Sequence, residues 1–285
     1  MTSPEANTTT STRLGTIAEL WRHPIKSMQG EQVDSIELDE HGIVGDRRLA
    51  LRDLTTGTIV SAKRPRLGRL LLTCRAVTSG DTVTVTVGGT TYDIHADRPQ
   101  LDAALTDLLE FPVRIDTVGT EPEVYSSEWP EIEGLALSGV SVDLPLPAGS
   151  FADLAPLHVL TTTSLHHLRS LAPESTITLQ RFRPGIVIDH HRAPDEATSF
   201  VENDWSGLRA RIGTAEVTFG DAAPRCVMTT LAQPGLEDDK TVLQAIARHN
   251  RRDFGGFGDF ACLGAYANVT RAGTLRVGDT VDLLP

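Results

Sequence analysis

One cysteine in this chain, Cys226, directly follows a proline and an arginine, Pro224 and Arg225. A neighbouring guanidinium favours thiolate over thiol, and a thiolate is both a nucleophile and a soft metal ligand. Cys74 and Cys262 lie in apolar runs and read as small buried hydrophobes. A second candidate is His23-Pro-Ile-Lys-Ser27, where Pro24 fixes a turn. Lys26 and Ser27 then offer a cation and a hydroxyl side by side, a pair suited to phosphate or another anion. A third is Gly42-Ile-Val-Gly45-Asp46-Arg47-Arg48, where glycines permit close backbone approach and two arginines follow. A fourth is Arg181-Phe-Arg183-Pro184-Gly185, where a guanidinium beside a turn can hold an oxyanion or a heterocycle through two N–H groups.

The charge balance narrows the chemistry. The 285 residues carry 26 Lys and Arg against 38 Asp and Glu, a net charge of −12. That argues against a nucleic-acid binder, which needs a basic footprint. From Asp46 to Arg75, however, eight basic residues face two acidic ones, a local surplus of six. It reads either as an anion-binding floor or as a basic sheet edge balanced elsewhere. From Thr120 to Asp143 there are six carboxylates and no basic residue, and Pro122 and Pro130 interrupt the stretch. Residues 119–145 therefore read as an irregular acidic connector, either a solvated linker or a surface for a protein partner. The pairs His166-His167 and His190-His191 point in different directions on a helix or strand and make poor joint metal ligands. No phosphate-binding glycine loop, hydrolase elbow or zinc-protease motif occurs.

The elements that must position these residues are mostly strands. Thr16 to Trp21, Val33 to Leu38, Arg48 to Arg52 and Arg69 to Val77 are short apolar or alternating runs. Thr82 to Val87 alternates Thr and Val strictly, and Gly88-Gly89 turns it back into Thr90 to Ile94. Leu101, Leu105, Leu108 and Leu109 predict a short amphipathic helix. In the second half, Leu157 to Leu160, Thr176 to Asp189, Arg209 to Phe219, Cys226 to Leu231 and Gly264 to Leu284 read as strands. Helices are expected after a cap at Thr163 or Ser164 and over Asp239 to Arg252. Residues 1–12 read as a disordered tail without a signal-peptide pattern. No apolar run reaches membrane-spanning length. Three widely spaced cysteines favour a reducing, cytoplasmic setting. The fold class expected is mainly β (α+β), with two β-barrel-like domains and a few short helices.

In order and spacing, these segments resemble the MOSC family, the molybdenum cofactor sulfurase C-terminal domain proteins. The branch they resemble carries an N-terminal MOSC β-barrel and includes the amidoxime reducing components. The markers are His23-Pro-Ile-Lys-Ser27, His41-Gly-Ile-Val-Gly-Asp-Arg47, Phe151-Ala-Asp-Leu-Ala-Pro-Leu-His158, Arg181-Phe-Arg-Pro-Gly-Ile-Val-Ile188, Glu202-Asn-Asp-Trp205, Pro224-Arg-Cys-Val-Met-Thr-Thr230 and Gly273-Thr-Leu-Arg-Val-Gly-Asp279. The resemblance implies an N-terminal barrel over 13–118, a MOSC domain over 146–285, and a cofactor cleft between them. It implies that Cys226 is the catalytic thiolate that binds molybdenum. Lys26, Ser27, Arg47 and Arg183 match positions that hold the pterin and phosphate of the molybdenum cofactor, and Pro224 and Arg225 flank the metal ligand. The turn Asp153-Leu154-Ala155 matches another cofactor segment, where Leu154 and Ala155 offer backbone N–H groups in place of the family's hydroxyls. Gly185 stands where the family often has asparagine. The implied activity is reduction of N-hydroxylated compounds such as hydroxylamines and amidoximes, with electrons from a separate ferredoxin- or cytochrome-like donor. A sulfur-carrier or cofactor-binding role for Cys226 is the alternative.

Overall fold

A computed structural model describes residues 12–119, 123–147, 149–191 and 200–285. Its larger unit is a closed seven-stranded barrel. Around the barrel run Leu157–Thr161, Ile186–His190, Arg13–Arg22, Thr280–Leu283, Arg209–Ile212, Ala215–Pro224 and Asp259–Arg271, and the last pairs back onto the first. The pair Leu157–Thr161 and Ile186–His190 is parallel, and the helix Thr162–Leu171 lies in the connection between them. Parallel neighbours need such a crossover, whereas antiparallel ones can use short turns. Alternation along the strands decides what faces inward. Ile17, Leu20, Leu157, Val159, Ile186 and Ile188 fill the interior, while Leu160 faces outward onto Leu165, Leu168 and the helix Lys240–His249.

Gly264 breaks this alternation where the site needs it broken. Its φ is +80°, and an added Cβ would lie 2.5 Å from both His158 Nε2 and the Val159 carbonyl. Beyond it, Ala265 and Ala267 point into the barrel; before it, Ala261 and Leu263, of the same parity, pack under the helices. One residue in the left-handed region thus reverses the two faces of a strand, as a bulge does. Phe260 and Cys262 are thereby turned towards Cys226, and Tyr266 towards the cavity.

The smaller unit packs its own core from Ile25, Leu51, Leu71, Val85, Leu101, Leu105 and Ile115. It comprises the pair Leu49–Asp53 and Val113–Thr117, the sheet Arg75–Ser79, Thr82–Val87 and Thr90–Asp93, and the helix Arg98–Leu109. Gly88 and Gly89 both have positive φ, as the two-residue hairpin turn requires.

Several local expectations need correction. The acidic stretch is only partly irregular: among its described residues Val124–Glu128 and Ser141–Pro145 form an antiparallel pair around an irregular turn, and Tyr125 is buried with Ala50, Ile59 and Phe151. Arg69–Thr73 is a 3-10 helix and the strand starts at Arg75. Leu179–Phe182 is a single helical turn before Ile186–His190. Cys226 to Leu231 is no strand: Ala215–Pro224 stops two residues before Cys226, and Val227–Thr230 is a 3-10 turn. In the last three cases helical turns stand where strands were expected, a reminder that β-propensity depends on context. The helix cap is Thr161, whose side chain accepts from the Ser164 backbone N–H. Of the N-terminal tail, residues 1–11 lie outside the described residues. Among the described residues no helix is long and apolar enough to cross a membrane.

Candidate functional site

The two N-terminal motifs are laced together by one carboxylate. Asp46 Oδ1 accepts the His23 backbone N–H at 2.6 Å, and Asp46 pairs with Arg47. The Arg47 N–H donates to the His23 carbonyl at 2.8 Å. Burial opposes charge on Asp46, but Arg47 and His23 outweigh it and hold the carboxyl below the usual carboxylate range. Burial also pushes the His23 imidazole down to about 3, with Arg183 assisting, so His23 is neutral at pH 7. Ser27 and Arg47 take positive φ of 67° and 48°, and Arg183 takes 54°. These are three of the five non-glycine residues with positive φ among the described residues, and all three line one cavity. Such backbone persists where the surroundings enforce it, and functional sites are its common location.

In that cavity Lys26 and Lys63 share Asp153, at 2.7 and 3.0 Å. Lys26 Nζ also donates to the Phe151 carbonyl at 2.8 Å, and Lys63 Nζ to the Tyr125 hydroxyl at 3.0 Å. Both ammonium groups lie over the Tyr125 ring, 4.4 and 5.0 Å from its centroid. Burial pushes Lys26 down to about 8; Asp153 opposes this and Lys63 adds to it. On Lys63 burial works against charge, but Asp153, Tyr125 and Cys226 prevail and keep it an ammonium.

The third group of cations comes from the second half. Arg181 is fully buried and spent on structure, donating to the carbonyls of Thr176, Thr229 and Glu237. It thereby pins the segment that follows Cys226. Arg225 donates to the Phe182 carbonyl at 2.6 Å and stacks 5.8 Å from the Phe182 ring, leaving Nε without a partner. Arg183 is 4% exposed, and neither Nη1 nor Nη2 has a hydrogen-bond partner. Burial, with Arg47 nearby, pushes it down to about 9. A buried guanidinium without partners costs free energy unless an anion or acceptor meets it.

Cys226 is 7% exposed. It packs against Trp129, Phe260 and Cys262, yet it lines the same cavity as Lys26, Arg47, Lys63 and Arg183. The cavity walls hold six Lys and Arg side chains and one carboxylate, Asp153. Such a lining, with the Cys226 sulfur on the same wall, is chemically suited to an anion.

Of the residues singled out from sequence, Lys26, Ser27, Arg47, Asp153, Ala155, Arg183, Pro224, Arg225 and Cys226 converge here. Leu154 does not line the cavity. Gly185 is spent inside the barrel: its N–H donates to the His158 carbonyl, its carbonyl accepts from Trp21, and a Cβ would meet Ile43 at 2.5 Å. Sequence reasoning missed Lys63, Tyr125, His158 and Tyr266. Lys63 belonged to the basic run, and Tyr125 was the lone tyrosine in the acidic one. His158 closed one of the markers without a role of its own, and Tyr266 carried no signal beyond strand alternation. His158 is held neutral by burial and Arg225, with its Nε2 3.0 Å from the Leu263 carbonyl. Burial pushes the Tyr266 hydroxyl up to about 12.

Comparison with known proteins gives two family matches: the MOSC N-terminal beta barrel domain over residues 14–118 and the MOSC domain over 148–282. The mitochondrial amidoxime-reducing component 1 of Mus musculus is 26% identical over 298 residues, spanning 95% of this chain and 83% of that protein. The Homo sapiens protein of the same name is 26% identical over 304 residues, with 95% and 84% covered. Among solved structures, the YUAD protein from Bacillus subtilis aligns over 96% of this chain and 97% of its own, at 14% identity and a TM-score of 0.43.

Proposed function

The chain belongs to the MOSC domain family, and from that premise we propose that it is a molybdenum-cofactor-dependent reductase of N-hydroxylated compounds. The observation that carries this reading is the pairing of Cys226 with the unpartnered buried guanidinium of Arg183 in one cation-rich cavity. The donor set suits the cofactor: a thiolate for a high-valent metal, and unpaired N–H groups with surplus cations for an oxyanion and a heterocycle. Cys226 would ligate the metal. Lys26, Ser27 and Arg47 would hold the phosphate end, and Arg183 and Arg225 the remaining polar edge. Bound there, the cofactor supplies two-electron chemistry at a metal able to accept an oxygen atom.

The net reaction, R–NHOH + 2e⁻ + 2H⁺ → R–NH2 + H2O, needs two electrons from a separate donor protein and two protons. Lys63 is the charged cavity wall and Tyr266 a protonated hydroxyl beside it, so both can hold a proton at Nζ or Oη. Trp129, Phe260 and Met228 keep the region behind Cys226 apolar and limit water there. A sulfur-carrier role fits less well, because a carrier thiol must reach another protein, and Cys226 is 7% exposed. Elemental analysis of the purified protein, with amidoxime turnover driven by a chemical reductant, tests the proposal. Stoichiometric molybdenum with turnover upholds it; a metal-free protein carrying a persulfide at Cys226 overturns it.

A further inference from the structure

One basic surface outside the cavity still has no role. Residues 54–80 hold five Lys and Arg and no Asp or Glu, in a chain of net charge −12. Lys63 lines the cavity. Arg64, Arg66 and Arg69 instead stand at the outside of the helical turn Pro65–Gly68 and the 3-10 helix Arg69–Thr73. The Arg64 and Arg69 side chains are 42% and 43% exposed, although Glu128 and Asp238 lie 3.6 and 2.7 Å from them. Arg66 is exposed and has no ion-pair partner among the described residues. Beside Arg69, the apolar Leu70 is also left 42% exposed. This surface backs onto the cavity. A Cβ on Gly68 would stand 2.4 Å from the Ser61 carbonyl oxygen, and Ser61 lines the cavity. Ala62 and Leu72 pack with Leu231 against Val227 and Met228, the two residues that follow Cys226. The arginines therefore stand on the outer side of a segment whose inner side supports the turn after Cys226.

The charge pattern selects a partner. A protein that delivers electrons must come close to the centre Cys226 would hold. An acidic protein is repelled by a molecule of net charge −12 and attracted where its cations are concentrated, so one basic patch sets both where it lands and how it is turned. Exposed leucine beside arginine also suits a protein interface, whose centre is apolar and whose anchors are often arginine. We propose that Arg64, Arg66, Arg69 and Leu70 form the docking surface for an acidic protein that carries one electron at a time. The proposal rests on the reductase reading. Each docking oxidises one carrier by one electron, and two dockings supply the two electrons of the net reaction above. A nucleic acid fits less well, because a phosphate backbone needs a longer run of cations than this surface, interrupted by Glu128 and Asp238, provides.

A plant-type two-iron ferredoxin, a small acidic carrier, is the probe. Binding of the fluorescently labelled ferredoxin is read by anisotropy on the full chain as purified, at low and at high salt. Ferredoxin-driven amidoxime turnover is compared with turnover on a chemical reductant. Binding should weaken as salt rises. Arg66→Glu should weaken it about fivefold at low salt and raise the KM for ferredoxin to match, while molybdenum content and chemically driven turnover stay unchanged. Arg276→Glu, the same charge change on the exposed end of Gly273–Arg276, should leave binding as it was. Absence of ferredoxin binding overturns the proposal, as does binding indifferent to Arg66→Glu or weakened equally by Arg276→Glu. Binding without ferredoxin-driven turnover, in protein that turns over on the chemical reductant, overturns it too. A single-stranded oligonucleotide that binds through Arg66 where ferredoxin does not would assign the surface to nucleic acid instead. Protein that holds no molybdenum and turns over on neither electron source, yet binds ferredoxin through Arg66, removes the reductase reading and leaves the docking surface standing.

Discussion

Arg183 combines three features that cost stability: burial, an unpaired charge and a φ of 54°. Arg183→Gly removes all three, so the cofactor-free protein should become more stable by roughly 1–4 kcal/mol. The same change should lower molybdenum content at purification. Calorimetry and elemental analysis on one preparation check both signs, and a variant that loses stability refutes the assignment. Cys226→Ser should lose molybdenum while keeping the wild-type melting temperature, because serine keeps the size but not the soft sulfur. His23 gives a pH signature. Its folded pKa is pushed down to about 3, against 6.5 for the free side chain. Between those values the unfolded chain binds the extra proton, so stability falls as pH drops through the window. From pH 7 to about pH 4 the loss from His23 should be roughly 3 kcal/mol. Asp46 and Asp153 have pKa values below the carboxylate range, so their contributions are lost mainly below that point. Urea midpoints at both pH values, compared with His23→Phe, should show a flatter profile in the variant.

At the scale of elements, the cavity depends on two places where local sequence is a poor guide. At Gly264 an alanine would require a positive φ of 80° and a Cβ 2.5 Å from a backbone oxygen. Gly264→Ala should cost at least roughly 2 kcal/mol and weaken cofactor retention, since it shifts His158 and Tyr266 together. Chemical denaturation and molybdenum analysis report the two effects. The other place is the hairpin Val124–Glu128 with Ser141–Pro145. Tyr125→Phe keeps the ring under Lys26 and Lys63 but removes the oxygen that accepts from Lys63, and should cost about 1–2 kcal/mol by denaturation. Charged and proline-rich composition predicts solvation there, and Glu123 and Glu128 do face water in part while pairing with Arg52 and Arg64. Composition cannot report that alternate residues of the same stretch are buried against another segment. The motifs with cations at turns, by contrast, were legible because Pro24, Gly42, Gly45 and Pro184 mark those turns in the sequence itself. Lys63 and Tyr266 were not, because their roles come from cross-chain contacts that no local pattern encodes.

At the scale of the molecule, the division by sequence and the division by hydrogen bonding differ. The family matches break near residues 118 and 148, yet Arg13–Arg22 is a strand of the larger barrel, between Ile186–His190 and Thr280–Leu283. Ser35–Asp39 likewise pairs with Gly273–Arg276. The chain enters the large barrel, crosses into the smaller unit, and returns. The loop that carries His23, Lys26 and Ser27 dips into the smaller core through Ile25 and Met28 before Glu31–Val33 pairs back onto the first strand, so closing the barrel and placing Lys26 are one event. A fragment of residues 146–285 should therefore fail to fold as a soluble monomer. It would lack the strand joining two edges and expose the row of N–H and C=O groups that Arg13–Arg22 satisfies. Adding back a peptide of residues 12–45 should restore solubility by supplying that strand, whereas one of residues 46–118 should not. Sedimentation and far-UV circular dichroism of the three mixtures decide the matter. A fragment that is soluble and cooperatively folded alone would mean that the first strand is peripheral to the barrel, and that the loop bearing Lys26 is positioned by the smaller unit instead.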